Sequence, residues 1–217
     1  MRLLNPPGVH RAQEDTELLV ECLGREPLGP GDAVLDLGTG TGAVALAAAG
    51  TGARVTAVDV SRRALATAWL NSALNRCRIR LLHGDLLEPV RGRRFDLVVS
   101  NPPYVPAAEE TLPVRGIARA WDAGHDGRAL LERICRQAPR VLAPGGVLLV
   151  VHSSLCGVGE TRARLERAGL ATEVVARRSI PFGPVMSGRA AWLEAQGLVA
   201  PGERTEELVV VRGVRKR

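Results

Sequence analysis

Short apolar stretches alternate with segments of helical periodicity along most of the chain. Ala33–Leu37, Arg54–Asp59, Ile79–His83, Phe95–Ser100 and Val147–Val151 read as strands; the last is apolar throughout, as a strand buried on both faces is. Thr172–Ile180 and Glu207–Arg212 add two more, which predicts seven strands. Between them, helices are expected over Ala43–Ala49, from Ser61 as N-cap to Asn75, over Arg128–Val141, and over Glu160–Ala168. Pro144-Gly145-Gly146 reads as the stop signal after the third of these. An amphipathic helix, Asp15–Leu23, precedes the first strand, and Gly188–Gln196 reads as an extra helix after the break at Pro181–Pro184. The stretch Pro102–Gly127 reads as a long loop.

Strand–helix alternation predicts an α/β fold, a mostly parallel sheet covered by helices on both faces. No internal repeat and no linker divides the chain. Residues 31–217 are expected to form one domain, with 1–30 as a helical extension and 184–204 as a helical insert. A length of 217 residues suits one sizeable core.

Composition changes this picture little. The chain is 46% hydrophobic and 24% charged, an ordinary globular ratio. No apolar run approaches the roughly 20 residues that cross a bilayer. Met1–His10 shows no secretory pattern, so a cytoplasmic protein without membrane contact is expected. Cys22, Cys77, Cys135 and Cys156 lie far apart, and His10, His83, His125 and His152 lack ligand spacing, so no metal site is expected. The net charge of +6 points toward nucleic acid, but it is almost wholly arginine, scattered among acids; Lys216 is the single lysine, and only Arg212–Arg217 clusters. Aromatic residues make up 3%, too few for a base-stacking surface.

The candidate chemistry lies at the ends of successive strands. Asp36 precedes Gly38-Thr39-Gly40-Thr41-Gly42, a turn in which glycines let the backbone approach a ligand. The spacing is G-x-G-x-G rather than the dinucleotide pattern, and a carboxylate before it repels pyrophosphate but suits an ammonium group. Asp59 ends the second strand, where it can accept both hydroxyls of a ribose. Asp85 follows the third strand, where it can accept an exocyclic amine while Leu86 covers a base. Ammonium, ribose and adenine together describe S-adenosylmethionine, and the set resembles class I methyltransferases.

The fourth strand runs into Asn101-Pro102-Pro103-Tyr104. Two prolines remove two donors and stiffen the turn. The Asn101 side-chain oxygen and the Pro102 carbonyl can then accept the two N–H bonds of a planar amide or amine, orienting a weak nucleophile toward a methyl group. Tyr104 is expected to stack on the flat substrate. No strong base is required, because the nitrogen becomes acidic once methylated.

This motif resembles both the methyltransferases of exocyclic base amines and the HemK-type protein glutamine N5-methyltransferases. Gly116–Trp121, Gly124–Ile134, Ala138-Pro139 and Leu142–Gly146 resemble the HemK loop and following helix. Glu14-Asp15-Thr16 with Leu18-Leu19 is similar to a segment of the short eukaryotic and archaeal branch, which methylates class I release factors. The resemblance implies a Rossmann-like sheet with an antiparallel last strand. It implies cofactor positions at Thr16, Asp36, Gly38, Asp59, Asp85, Leu86 and Asn101; Gly40 and Gly42 complete the turn. It implies a substrate loop at Asn101–Tyr104, a release factor as protein substrate, and a small zinc-binding activator. His10 and Ala12 depart from the branch's usual Tyr and Pro, and 181–204 enlarges the last strand connection. About 30 residues precede the first strand, too few for the N-terminal helical domain of the longer bacterial enzymes. The alternatives are an N6-adenine or N2-guanine methyltransferase on RNA or DNA, a small-molecule amine methyltransferase, and a nucleotide-binding or scaffold protein without catalysis.

Overall fold

The computed structural model describes residues 1–9, 13–113 and 116–216; the departures noted at His10 and Ala12 lie outside them. The strands are β1 (Ala33–Leu37), β2 (Arg54–Asp59), β3 (Ile79–His83), β4 (Phe95–Ser100), β5 (Leu142–Ser153), β6 (Leu170–Pro181) and β7 (Thr205–Arg215). The helices are α1 (Glu14–Leu23), α2 (Ala43–Ala49), α3 (Arg62–Leu74), α4 (Ala129–Gln137), α5 (Val158–Arg167) and α6 (Pro184–Ala195). One sheet contains all seven strands in the order β3-β2-β1-β4-β5-β7-β6. β1 to β5 pair in parallel, and β7 runs antiparallel between β5 and β6.

Alternate residues of each central strand feed opposite faces, as the pleat requires. Leu35, Leu37, Val98, Leu148 and Val150 join Leu131 and Ile134 of α4 and Leu165 of α5 on one side. Val34, Leu97, Val99, Leu149 and Val151 join Leu19 and Leu23 of α1 and Ala45 and Ala48 of α2 on the other. The N-terminal extension is therefore part of a core layer. The strand order reverses between β1 and β4, which opens a crevice at their C-terminal ends.

Several boundaries differ from the sequence reading. α4 ends at Gln137 and a 3-10 turn spans Ala138–Arg140. β5 begins at Leu142, so Pro144-Gly145-Gly146 does not precede the strand but forms a bulge inside it. The register to β4 jumps there, from Phe95–Leu142 to Leu97–Val147. Gly146 is required at this point, since a Cβ would stand 2.9 Å from both the Ala143 and Phe95 carbonyls. β6 and β7 extend beyond the expected ends, and the basic cluster lies largely inside β7. Arg212 pairs with Glu26 and Glu173 there, which ties it to the fold surface. Arg217 lies outside the described residues.

α6 begins at Pro184, a favoured first helical residue. Phe182, Met186, Leu193 and Val199 form a small core of their own, against which Val105 and Leu155 pack. The insert thus lies on the loop that follows β4. That loop carries a 3-10 turn at Ile117–Ala120 and a bridge between Val105 and Asp122. Among the described residues all four cysteines are free, no group of three or more His, Cys, Asp or Glu side chains is placed to hold a metal ion, and no helix is long and apolar enough to cross a membrane.

Candidate active site

A cavity of about 750 Å³ opens at the crevice, within the range that small-molecule sites occupy. The β1–α2 turn forms its floor. Gly38, Gly40 and Gly42 have φ of +74°, +53° and +84°, a region that side-chain-bearing residues rarely adopt. The Gly38 and Thr39 amides donate to the Val58 carbonyl at 2.9 and 3.1 Å, which ties the turn to β2. A Cβ on Gly42 would meet the Ala68 Cβ at 3.1 Å, whereas one on Gly40 would meet nothing within 4 Å, so Gly40 faces open space.

Asp36 lies under this turn, 1% exposed. One carboxylate oxygen accepts from the Thr39 hydroxyl at 2.7 Å and from the Ala45 amide of α2 at 3.1 Å. The carboxylate therefore caps a helix whose own N-cap, Gly42, has no side chain. Burial pushes its pKa up to about 7, and these two hydrogen bonds restrain the rise. Asp59 accepts from the Gly40 amide at 2.9 Å with one oxygen and from the Ser61 amide at 2.7 Å with the other. Burial raises its pKa as well. Both aspartates hold the turn in shape; Asp36 keeps its other oxygen for a ligand, and Asp59 keeps one lone pair on each oxygen.

The third strand end differs in detail. Leu86 sits at φ +46° and packs on the core while lining the cavity. Asp85 is engaged by Arg133 of α4 in an ion pair, both side chains being partly exposed. An exocyclic amine at Asp85 therefore shares the carboxylate with a guanidinium. Arg133 went unremarked in the sequence because it lies 48 residues from Asp85 on a different element.

At the end of β4, Asn101, Pro102 and Pro103 line the cavity. Tyr104 does not. Its hydroxyl donates to Asp15 of α1 at 3.0 Å, and its ring packs between the two core layers. As placed, Tyr104 anchors the turn from behind instead of offering a stacking face to a substrate. Burial, reinforced by the charges of Asp15 and Glu206, drives its pKa well above the usual phenol value, so the hydroxyl stays protonated. Thr16 lines the cavity, as the resemblance implies, and accepts from the Asn101 amide nitrogen at 3.1 Å. Behind the loop, Arg189 of α6 pairs with Asp122 at 2.6 Å and donates to the Pro106 carbonyl at 2.8 Å. Asp15, Arg133 and Arg189 join the site only through the fold, and the sequence pattern does not single them out. The only sequence signal for Asp15 was its place beside Thr16, where an acid in a first helical turn has an ordinary electrostatic reason.

The site thus brings Thr16, Asp36, Gly38, Gly40, Asp59, Asp85, Leu86, Asn101, Pro102 and Pro103 around one cavity. Carboxylates at three strand ends, an open glycine and an amide at the fourth suit the polar groups of S-adenosylmethionine. That molecule supplies an electrophilic methyl group on a sulfonium sulfur.

Comparison with known proteins agrees with this geometry. The family called "Methyltransferase small domain" matches residues 1–119. A protein of Methanocaldococcus jannaschii with the provisional name protein N5-glutamine methyltransferase is 36% identical over 181 residues, covering 83% of this chain and 90% of that one. The release factor glutamine methyltransferase of Geobacter sulfurreducens is 40% identical over 152 residues, covering 66% of this chain; the match spans only 53% of that enzyme. Among solved structures, the Mtq2–Trm112 complex of E. cuniculi, responsible for methylation of the termination factor eRF1, superposes with a TM-score of 0.67. It is 25% identical and covers 96% of this chain and 99% of its counterpart. A family match over more than half of the sequence, with a relative aligned along nearly its whole length, means that this chain belongs to the methyltransferase small domain family, in its HemK-type branch, and is an S-adenosylmethionine-dependent methyltransferase.

Proposed function

We propose that the chain methylates the side-chain amide nitrogen of a protein glutamine, with the Gly-Gly-Gln loop of a class I release factor as substrate. The observation that carries this is the contact made by Asn101: its amide nitrogen donates to Thr16, while Asn101 and Pro102 both line the cavity, which on this reading turns the Asn101 oxygen and the Pro102 carbonyl toward the substrate. Two acceptors in a rigid turn match the two N–H bonds of a carboxamide. An amide nitrogen has its lone pair delocalised into the carbonyl. Held by two acceptors, it is aimed at the methyl group, and the positive charge that grows on it is stabilised. The N–CH₃ bond forms as the S–CH₃ bond breaks. The nitrogen then loses one proton to solvent, so no general base is needed among these residues.

On this reading Asn101 and Pro102 bind the substrate amide, Pro103 shapes the wall beside it, and Tyr104 holds the turn. Asp36 takes the ammonium of S-adenosylmethionine, Asp59 its ribose, and Asp85 with Leu86 its adenine. Gly38 and Gly40 let it approach, whereas Gly42 lets the turn pack against Ala68, and Thr16 closes the site. Residues 1–30 supply one wall and 31–217 the rest, with 184–204 bracing the substrate loop. A release-factor substrate places the enzyme in the cytoplasm, and the likeness to a two-protein complex suggests a small activator subunit.

The test is methyl transfer from labelled S-adenosylmethionine, with and without a candidate activator. The acceptors are a release factor, its variant with the loop glutamine replaced, total RNA and DNA. Label on the release factor that disappears with the glutamine supports the reading. Label on RNA or DNA alone overturns it.

A further inference from the structure

Asp15 is a carboxylate 6% exposed on the first turn of α1. It is not among the residues lining the cavity, yet three donors converge on it. The Thr16 backbone amide reaches its Oδ1 at 2.6 Å, the Thr16 hydroxyl reaches the same oxygen at 3.2 Å, and the Tyr104 hydroxyl reaches Oδ2 at 3.0 Å. We propose that Asp15 is a positioning residue that sets the direction of the Asn101 amide through the Thr16 hydroxyl, so that the Asn101 oxygen and not its NH₂ faces the substrate nitrogen. The inference rests on the reading that Asn101 accepts from a substrate N–H.

The argument is one of donors and acceptors. A carboxylate only accepts. A threonine hydroxyl carries one proton and must spend it on Asp15, since turning a lone pair toward the carboxylate sets two acceptors against each other. The Thr16 oxygen then has only lone pairs for its other neighbour. That neighbour is the Asn101 amide at 3.1 Å, which must offer its NH₂. An amide has one nitrogen and one oxygen, so its oxygen is left toward the cavity. Without the carboxylate, the hydroxyl is free to donate to the Asn101 oxygen. The amide then turns over and presents donors to a substrate that also presents donors.

Tyr104 keeps the relay single-valued. Its hydroxyl stays protonated, held so by burial and by the acids Asp15 and Glu206, and it engages Oδ2. Oδ1 is left for Thr16. The same two bonds clamp α1 to the β4 end across 85 and 89 residues of sequence, so the relay and the docking of the N-terminal segment are one structure.

Three variants separate this role from simpler ones. In Asp15→Asn the Thr16 backbone N–H, an obligatory donor, selects the new amide's oxygen at the Oδ1 position, and the Thr16 hydroxyl still has an acceptor. Turnover is expected within about threefold of the parent, because one neutral acceptor replaces a charged one in the same place. Asp15→Ala is expected to lower kcat at saturating S-adenosylmethionine by about 10- to 100-fold, the scale of one misplaced acceptor. Thr16→Val leaves Asp15 and its bond to Tyr104 intact and is expected to lose as much. The double variant Asp15→Ala/Thr16→Val should then be no worse than either alone. Equal loss in Asp15→Asn and Asp15→Ala would show that charge is what matters and overturn the relay; so would full additivity of the two losses, or unchanged kcat in Thr16→Val.

A second readout needs no turnover. The side-chain NH₂ protons of Asn101, followed by NMR in the parent, should exchange slowly. Slow exchange should persist in Asp15→Asn and vanish in Asp15→Ala and Thr16→Val. Intact protection in Thr16→Val refutes the relay even if the substrate proves not to be glutamine. A failed glutamine assay with the expected NMR pattern refutes the substrate alone.

Discussion

The two ends of the cavity are built in different ways. The end assigned to the cofactor is held mostly by contacts close in sequence: Asp36 to Thr39 and Ala45 across 3 and 9 residues, Asp59 to Ser61 and Gly40 across 2 and 19, with the Asp85–Arg133 pair, across 48, as its one longer tie. The substrate end is held from far away: Thr16 to Asn101 across 85 residues, Asp15 to Tyr104 across 89, Arg189 to Pro106 across 83. A strand, a glycine turn and a helix assemble the first almost by themselves. The second exists only after α1 and α6 have docked. If the proposed assignments hold, methyl donor binding and substrate positioning are separable, and changes at one end should leave the other largely intact.

The largest effect that sharpens this contrast is expected from Asn101→Ala. Turnover should fall by about 10²- to 10³-fold, the scale of one lost oriented hydrogen-bonding group at a reacting centre. Binding of S-adenosylmethionine by calorimetry should change little. A comparable loss of cofactor affinity would merge the two ends. Asp59→Ala is the converse. It removes the acceptor assigned to the ribose and the support of Gly40, and should weaken cofactor binding by about 10- to 100-fold, from one or two charge-assisted hydrogen bonds. Unchanged affinity in the same calorimetry would remove Asp59 from the ribose assignment.

A smaller effect should appear with pH. Asp36, pushed up to about 7, is mostly protonated in the free protein below that pH. An ammonium group favours its ionised form, so binding must expel the proton, and affinity should fall by up to about tenfold per pH unit below 7. Calorimetry in buffers of different ionisation enthalpy should record the proton release, and Asp36→Asn should abolish the dependence. The same group affects the unliganded fold. An unfolded aspartate titrates near about 3.9, so between about 4 and 7 the folded chain binds a proton that the unfolded chain does not. Its contribution to stability is full below that window, declines as pH rises through it, and is level above.

The smallest effect concerns the insert. Arg189→Ala frees Pro106 and leaves the buried Asp122 without its partner. About 1 kcal/mol of lost loop order corresponds to roughly a fivefold rise in KM for the protein substrate. Cofactor affinity should not move. An equal change in both would show that α6 supports the whole domain rather than the substrate loop.

Legibility in the sequence follows the same division. Asp36, Gly38, Gly40 and Asp59 could be read directly, because a strand end followed by a glycine turn fixes where they go. Asp85 was placed at the right strand end, but its partner Arg133 was not, because α4 reaches it only through the fold. The Asn101–Pro103 turn was legible from its prolines. The sequence alone makes Tyr104 a stacking platform, since an aromatic after a rigid turn gives no sign of which way it faces; the structure turns it inward, toward a buried carboxylate on α1. Pro144-Gly145-Gly146 has the composition of a terminator, but the pairing of β5 with β4 makes it a bulge.

By itself, the amino-acid sequence determined the alternation of seven strands with helices, the glycine turn and the acids at the strand ends. These depend on periodicity and on backbone freedom, which act within a few residues. The tertiary structure alone decided which way the Asn101 amide points, where the Tyr104 hydroxyl goes and what α6 rests on. Each depends on a donor and an acceptor more than eighty residues apart, and only the packing of α1 and α6 against the sheet brings them within reach.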